Sequence, residues 1–131
     1  MLFRSEGITY FHGTDIGMPL DSIGVKFSAA DVATLESNHD PVLLRKSARP
    51  ESLKQRIWGP RGHLSNEQAC ELVRKFAAAK LRKLNLAHLS HECNAPHIAS
   101  AAMMETLEEM NRRDIALDIL AQDTISGEWE G

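Results

Sequence analysis

Val32-Ala33-Thr34-Leu35-Glu36-Ser37-Asn38-His39-Asp40 decides how this chain is read. Val32 to Leu35 is a short apolar run of the kind that forms a buried strand, and it ends on the carboxylate of Glu36. A buried, unpaired carboxylate is costly, so Glu36 needs a partner, and a histidine suits that role. Three further polar cassettes close apolar runs in the same way: Thr14-Asp15-Ile16-Gly17, Gly62-His63-Leu64-Ser65-Asn66 and His88-Leu89-Ser90. Each places an imidazole or a carboxylate where a strand gives way to a loop or helix. Open α/β sheets collect their ligands at such ends.

Outward from this stretch, the periodicity alternates. Ile8 to Phe11 is a β-rich run that enters Thr14-Asp15 directly. Pro19 to Ala29 carries Leu20, Ile23 and Phe27 at helical spacing. After Asp40, two short helices are expected, at about Pro41 to Lys46 and Pro50 to Trp58, each with proline in its first turn. Ser65-Asn66-Glu67-Gln68 has the form of a capping box. It opens a helix to about Leu81 with Ala69, Val73, Phe76 and Ala77 on the buried stripe. Leu84 to Leu86 is a strand that delivers His88. Asn94-Ala95-Pro96 is expected to cap a helix running through Arg113, with Ile98, Ala101, Met104, Leu107 and Met110 as its apolar stripe. Ile115 to Leu120 is a last strand. This alternation predicts an α/β fold with neighbouring strands joined by helices.

The bulk numbers agree with one small domain. The chain has 131 residues, enough for its own core, since a domain of ~150 residues buries roughly 70% of its unfolded surface. Hydrophobic residues make up 43% and aromatics only 5%, which points to an aliphatic and alanine-rich interior. A net charge of −3 gives no overall sign of a nucleic-acid or membrane binder. The charge is uneven, however. Arg45, Lys46, Arg49, Lys54, Arg56 and Arg61 face a single acid, Glu51, between 45 and 61. That segment suits either a solvated helix face or a polyanionic substrate. Cys70 and Cys93 are too few and too far apart for a disulfide framework and suit a reducing compartment. No apolar run reaches the ~20 residues of a membrane span and no secretory segment is present, so a cytoplasmic location is expected.

Taken singly, the polar residues leave alternatives open. Asp15 before Gly17 is a turn former or a ligand, and spacing alone favours the turn. A lone histidine such as His88 is more often structural than metal-bound. His63 precedes a helix start whose N–H groups favour an anion such as phosphate.

Taken together, the cassettes resemble the C-terminal half of a metallo-β-lactamase-fold hydrolase. They are most similar to the WalJ/YycJ-like branch, often labelled phosphoribosyl 1,2-cyclic phosphodiesterase. The matching runs stand at Thr14 to Gly17, Leu35 to Asp40, Leu53 to Ile57, Gly62 to Asn66 and Leu86 to Asn94. The resemblance implies one half of an αβ/βα sandwich and a parent enzyme that cleaves phosphodiester bonds, in DNA, RNA or a small cyclic phosphate. Two divalent ions, zinc or manganese, would serve that reaction. By resemblance Asp15 bridges the two metals and His88 is an imidazole ligand. His63 meets the scissile phosphate or protonates the leaving oxygen, and Glu36 orients it. Asn38, His39, Ser65 and Asn94 are support or substrate-contact residues.

The sequence also departs from that pattern. The His-x-His-x-Asp-His metal motif occurs nowhere in it, and Cys93 and Ser37 stand where the family has asparagine and alanine. Two protein ligands are too few for a dinuclear site, so the 131-residue chain is expected to hold metal partially or not at all and to be inactive alone. Met1 to Glu6 does not read as the opening of a domain. The expectation is therefore a non-native or disordered start followed, from 7 to 131, by the C-terminal part of the fold. Half a sandwich would leave a sheet face exposed, apolar and prone to self-association. The alternative is a small non-catalytic α/β binding module, in which Asp15 and His88 are turn and packing residues. Convergence of Asp15, His63 and His88 on one cleft, with Glu36 behind His63, separates the two.

Overall fold

The computed structural model describes residues 2–13, 21–58, 63–90 and 93–120. Five strands form one mixed sheet in chain order: β1 (Leu2–Ser5), β2 (Ile8–Gly13), β3 (Val32–Glu36), β4 (Lys83–Ala87) and β5 (Ala116–Ile119). Strands β2 to β5 are parallel, and β1 runs antiparallel along the edge of β2. Leu2–Ser5, placed outside the domain by the sequence reading, thus forms a strand. Its hairpin turns at Glu6 and Gly7, whose φ values of 51° and 82° put two successive residues in the left-handed region that short hairpin loops require.

The connections are helical, as the alternation predicts: α1 (Asp21–Phe27), α2 (Pro41–Lys46), α3 (Glu51–Trp58), α4 (Asn66–Phe76) and α5 (Pro96–Glu109). Strand period and register sort the sheet into two faces. On one, Phe11, Ala33, Leu35, Leu84 and Leu86 are buried against Phe27 of α1, Leu72 and Val73 of α4, and Met103 and Leu107 of α5. A smaller cluster of Leu44, Ile57 and Cys93 joins α2 and α3 to the loop after β4.

No described helix packs on the other face, and that face is not uniformly apolar. Phe3 stacks on Tyr10 at its β1–β2 end, with ring centroids 5.0 Å apart. Its middle is polar: Asn85 donates to the Thr34 hydroxyl, and Lys83 pairs with Asp118. The expected apolar half-fold surface is therefore confined to one end.

Two helices differ from expectation. Helix α4 stops at Phe76 instead of Leu81, because Leu81 must turn into the core while the Arg112 guanidinium takes up the carbonyls of Ala78, Ala79 and Leu81 at 3.0, 3.4 and 2.9 Å. Helix α5 ends at Glu109, and Asn111 follows with φ 60°. Its buried stripe runs through Ala99, Met103 and Leu107, whereas Met104 is 54% exposed. The helix is apolar around much of its circumference, so period alone did not fix which methionine faces inward.

Candidate active site

The carboxyl ends of β3 and β4 lie side by side, with Glu36 in register with Ala87. Glu36 therefore closes β3 next to the residue before His88. His63, beyond α3 in the chain, is tied back to that helix by its backbone N–H, which donates to Ile57 O. The three side chains meet. Glu36 is fully buried, and its Oε2 accepts from Nδ1 of His63 at 2.7 Å and from Nδ1 of His88 at 2.5 Å. Its Oε1 accepts from the Leu64 N–H at 3.3 Å. The two imidazole rings are 5.2 Å apart, tilted by 55°.

Burial by itself would push the Glu36 carboxyl up, but hydrogen bonds and charge from both histidines outweigh it and hold the group below its ordinary value. An ionised carboxylate accepts only, so both imidazoles carry their proton on Nδ1. Nε2 is then, on each ring, the nitrogen not turned to Glu36. This is the usual second contact of a metal-binding histidine: a carboxylate on one nitrogen fixes the tautomer and makes the other more basic.

Glu36, His63 and His88 also form a group of three potential metal donors, with their ligand atoms within 4.8 Å of one another. The spacing tells which way a metal fits. Donors 2.0–2.1 Å from a tetrahedral ion stand about 3.3 Å apart. The Nδ1-to-oxygen distances of 2.5 and 2.7 Å hold a proton instead. An ion bound through Nε2 would instead leave Glu36 as the carboxylate behind the ring. Asp15 lies outside the described residues.

A second polar layer ties the cassettes together. Asn38 is buried; its backbone N–H donates to Leu64 O at 2.8 Å, its carbonyl accepts from Ser90 N at 2.7 Å, and its Nδ2 donates to His88 O at 2.8 Å. Behind it, the Ser37 hydroxyl donates to Asn66 Oδ1 at 2.6 Å, and the side chains of Asn66 and Asn94 are doubly hydrogen-bonded at 3.0 and 2.9 Å. Asn94 also donates to Ser37 O. The sequence reading made Asn94 part of a helix cap. The cap residue of α5 is Ala95, without a side-chain bond of its own; Asn94 Oδ1 accepts from the Ala95 N–H, while Asn94 Nδ2 reaches Ser37 O just past β3. The Ser65 hydroxyl caps α4 in the expected box with Gln68.

His39 is the outlier. It is 1% exposed, its Nδ1 lies 3.3 Å from Asn38 Oδ1, and its Nε2 is buried with no hydrogen-bond partner among the described residues. Burial first, then repulsion from His63, pushes it down to about 4. Sequence reasoning linked Glu36 to His63 alone. The signal it missed was the parallel register, which carries His88 to the same oxygen. His12 is exposed on the sheet face that carries no described helix, and His97 is exposed at the start of α5. Among the described residues no helix is long and apolar enough to cross a membrane.

No protein-family model matches the chain. Among curated proteins it is 33% identical over 122 residues to exodeoxyribonuclease WalJ of Streptococcus pneumoniae (strains D39 and R6), a stretch covering 93% of this chain and 45% of that protein. It is 33% identical over 96 residues to exodeoxyribonuclease YycJ of Bacillus anthracis, covering 73% of this chain and 36% of that protein. The chain thus spans less than half the length of the curated relatives it matches, and it is over that span a homologue of the WalJ/YycJ exodeoxyribonucleases.

Proposed function

We propose that this chain carries one portion of a dinuclear-metal phosphodiesterase site of nuclease type, with DNA as the substrate class that its relatives' names suggest. The observation that supports it is the shared carboxylate: one buried oxygen holds two imidazoles by Nδ1. It favours the hydrolase reading over a small non-catalytic binding module, which does not require two imidazoles on one carboxylate. His88 supplies Nε2 as a ligand, and Asp15 supplies a carboxylate. His63 holds a proton for the leaving oxygen. Glu36 keeps both rings in the required tautomer and neutralises whichever becomes charged. When bound, the two divalent ions would activate the attacking water and offset charge on the phosphoryl oxygens. Zinc and manganese both suit an imidazole and carboxylate set. His-x-His-x-Asp-His is absent from the sequence, so the chain alone provides too few ligands for both ions and does not turn over DNA.

Titration of zinc and of manganese into the purified chain, beside Asp15→Ala and His88→Ala, tests this. The expected result is weak binding that drops at least about tenfold in each variant, with no hydrolysis of end-labelled DNA. Equal binding in all three proteins, or robust hydrolysis by the chain alone, overturns it.

A further inference from the structure

We propose that Asn38 is the positioning residue for His88, fixing its imidazole on Glu36 by holding the histidine's own carbonyl. The functional consequence rests on the ligand role given to His88 above; the geometry does not. His88 has φ 61°. A side chain with a β-carbon is disfavoured there, because Cβ crowds the backbone. Such a conformation persists only where the surroundings over-determine it, and such positions cluster at functional sites.

Among the described residues, Asn38 is the side chain that holds the His88 backbone there. Its Nδ2 donates to His88 O at 2.8 Å, one residue past the end of β4. Asn38 is itself held in place. Its two backbone groups are tied to Leu64 and Ser90, one on each neighbouring cassette, and it is 4% exposed. Without the Nδ2 donor, His88 is released toward the extended backbone that β4 would otherwise continue. Its Cα–Cβ bond then swings away from Glu36 and the 2.5 Å contact opens. The position needs a hydrogen-bond donor. An aspartate would set a carboxylate against the His88 carbonyl, and an alanine would leave that carbonyl unmet.

The experiment is histidine-ring ¹H–¹⁵N spectroscopy on the 131-residue chain, Asn38→Ala and Asn38→Asp, each followed by zinc titration. In the unsubstituted chain His63 and His88 should both show the Nδ1–H tautomer. In the folded variants the His88 ring nitrogens should shift toward a free tautomer mixture while those of His63 stay, and zinc affinity should fall about 10–100-fold. Unchanged His88 nitrogens in a folded variant overturn the inference, whatever zinc does. Shifted His88 nitrogens with unchanged zinc affinity support the positioning and remove the ligand role instead. If neither variant folds, the unsubstituted chain decides. Slow exchange of an Asn38 amide proton, together with backbone couplings that place His88 at positive φ, supports the inference. Exposed-type exchange or an extended His88 overturns it.

Discussion

His39 should make the chain acid-sensitive by an amount that its burial sets. The folded ring is pushed down to about 4, first by burial and then by the neighbouring His63, while the unfolded ring titrates at its ordinary 6.5. Between those values the unfolded chain binds the extra proton and the folded chain does not. Stability therefore rises with pH and is lost as pH falls below 6.5, at about 1.4 kcal/mol per pH unit. From pH 7.5 to 4.5 this amounts to about 2.5 kcal/mol, a large share of the 5–15 kcal/mol typical of a folded domain. Other groups titrate in the same window, so the effect is read as a difference. Urea denaturation of the chain and of His39→Asn at pH 7.5, 6.5, 5.5 and 4.5 isolates it. Asparagine retains a polar group near Nδ1 and cannot titrate. The variant should be less stable at pH 7.5, through lost packing, and the gap should close by about 2.5 kcal/mol at pH 4.5. A gap that stays constant within about 0.5 kcal/mol would mean that His39 accepts its proton as easily folded as unfolded, and the reasoning fails.

Three further outcomes are expected. Glu36→Gln exchanges two charge-assisted hydrogen bonds for neutral ones and should cost about 2 kcal/mol in urea at pH 7; a loss under about 0.5 kcal/mol would mean the carboxylate is not the common acceptor of both rings. Arg112→Ala removes the donor for the carbonyls of Ala78, Ala79 and Leu81. It should lower stability by about 2 kcal/mol, with faster amide exchange at 78–82 as the local readout. Gly24→Ala should destabilise despite alanine's better helix propensity, because the new Cβ would lie 2.3 Å from the Phe76 ring; the expected loss is about 1–3 kcal/mol by thermal melting, and a stabilised variant would show that the ring yields freely.

The strand cores and most helix starts were legible because they depend on local chemistry. Ser65 and Gln68 form the capping box that their spacing announces, and Val32 to Leu35 alternates between the faces of the sheet as a strand must. The need for a partner at Glu36 was legible too, from the cost of burying a carboxylate. What could not be read depends on residues far apart in the chain. That His88 joins His63 on one oxygen follows from the register of β3 against β4, across 52 residues. Helix α4 stops early because of a guanidinium more than 30 residues away. The crossing of Asn94 to Ser37 and Asn66 likewise has no local signature. The site's geometry is a property of the sheet, and only its ingredients are a property of the cassettes.

The α2–α3 segment leaves from Asp40 and returns at His63, and both departures are clamped. Asp40 N–H is bonded to Cys93 O, Asn66 N–H to His39 O, and His39 bridges Ser65. The segment therefore behaves as a loop whose ends already meet. Doubling the length of such a loop adds only about 0.6 kcal/mol of closure entropy. The connection between α2 and α3, at residues 47–50, is thus the natural port of the molecule, since it lies between the clamped ends and away from Ile57, whose carbonyl holds the His63 N–H.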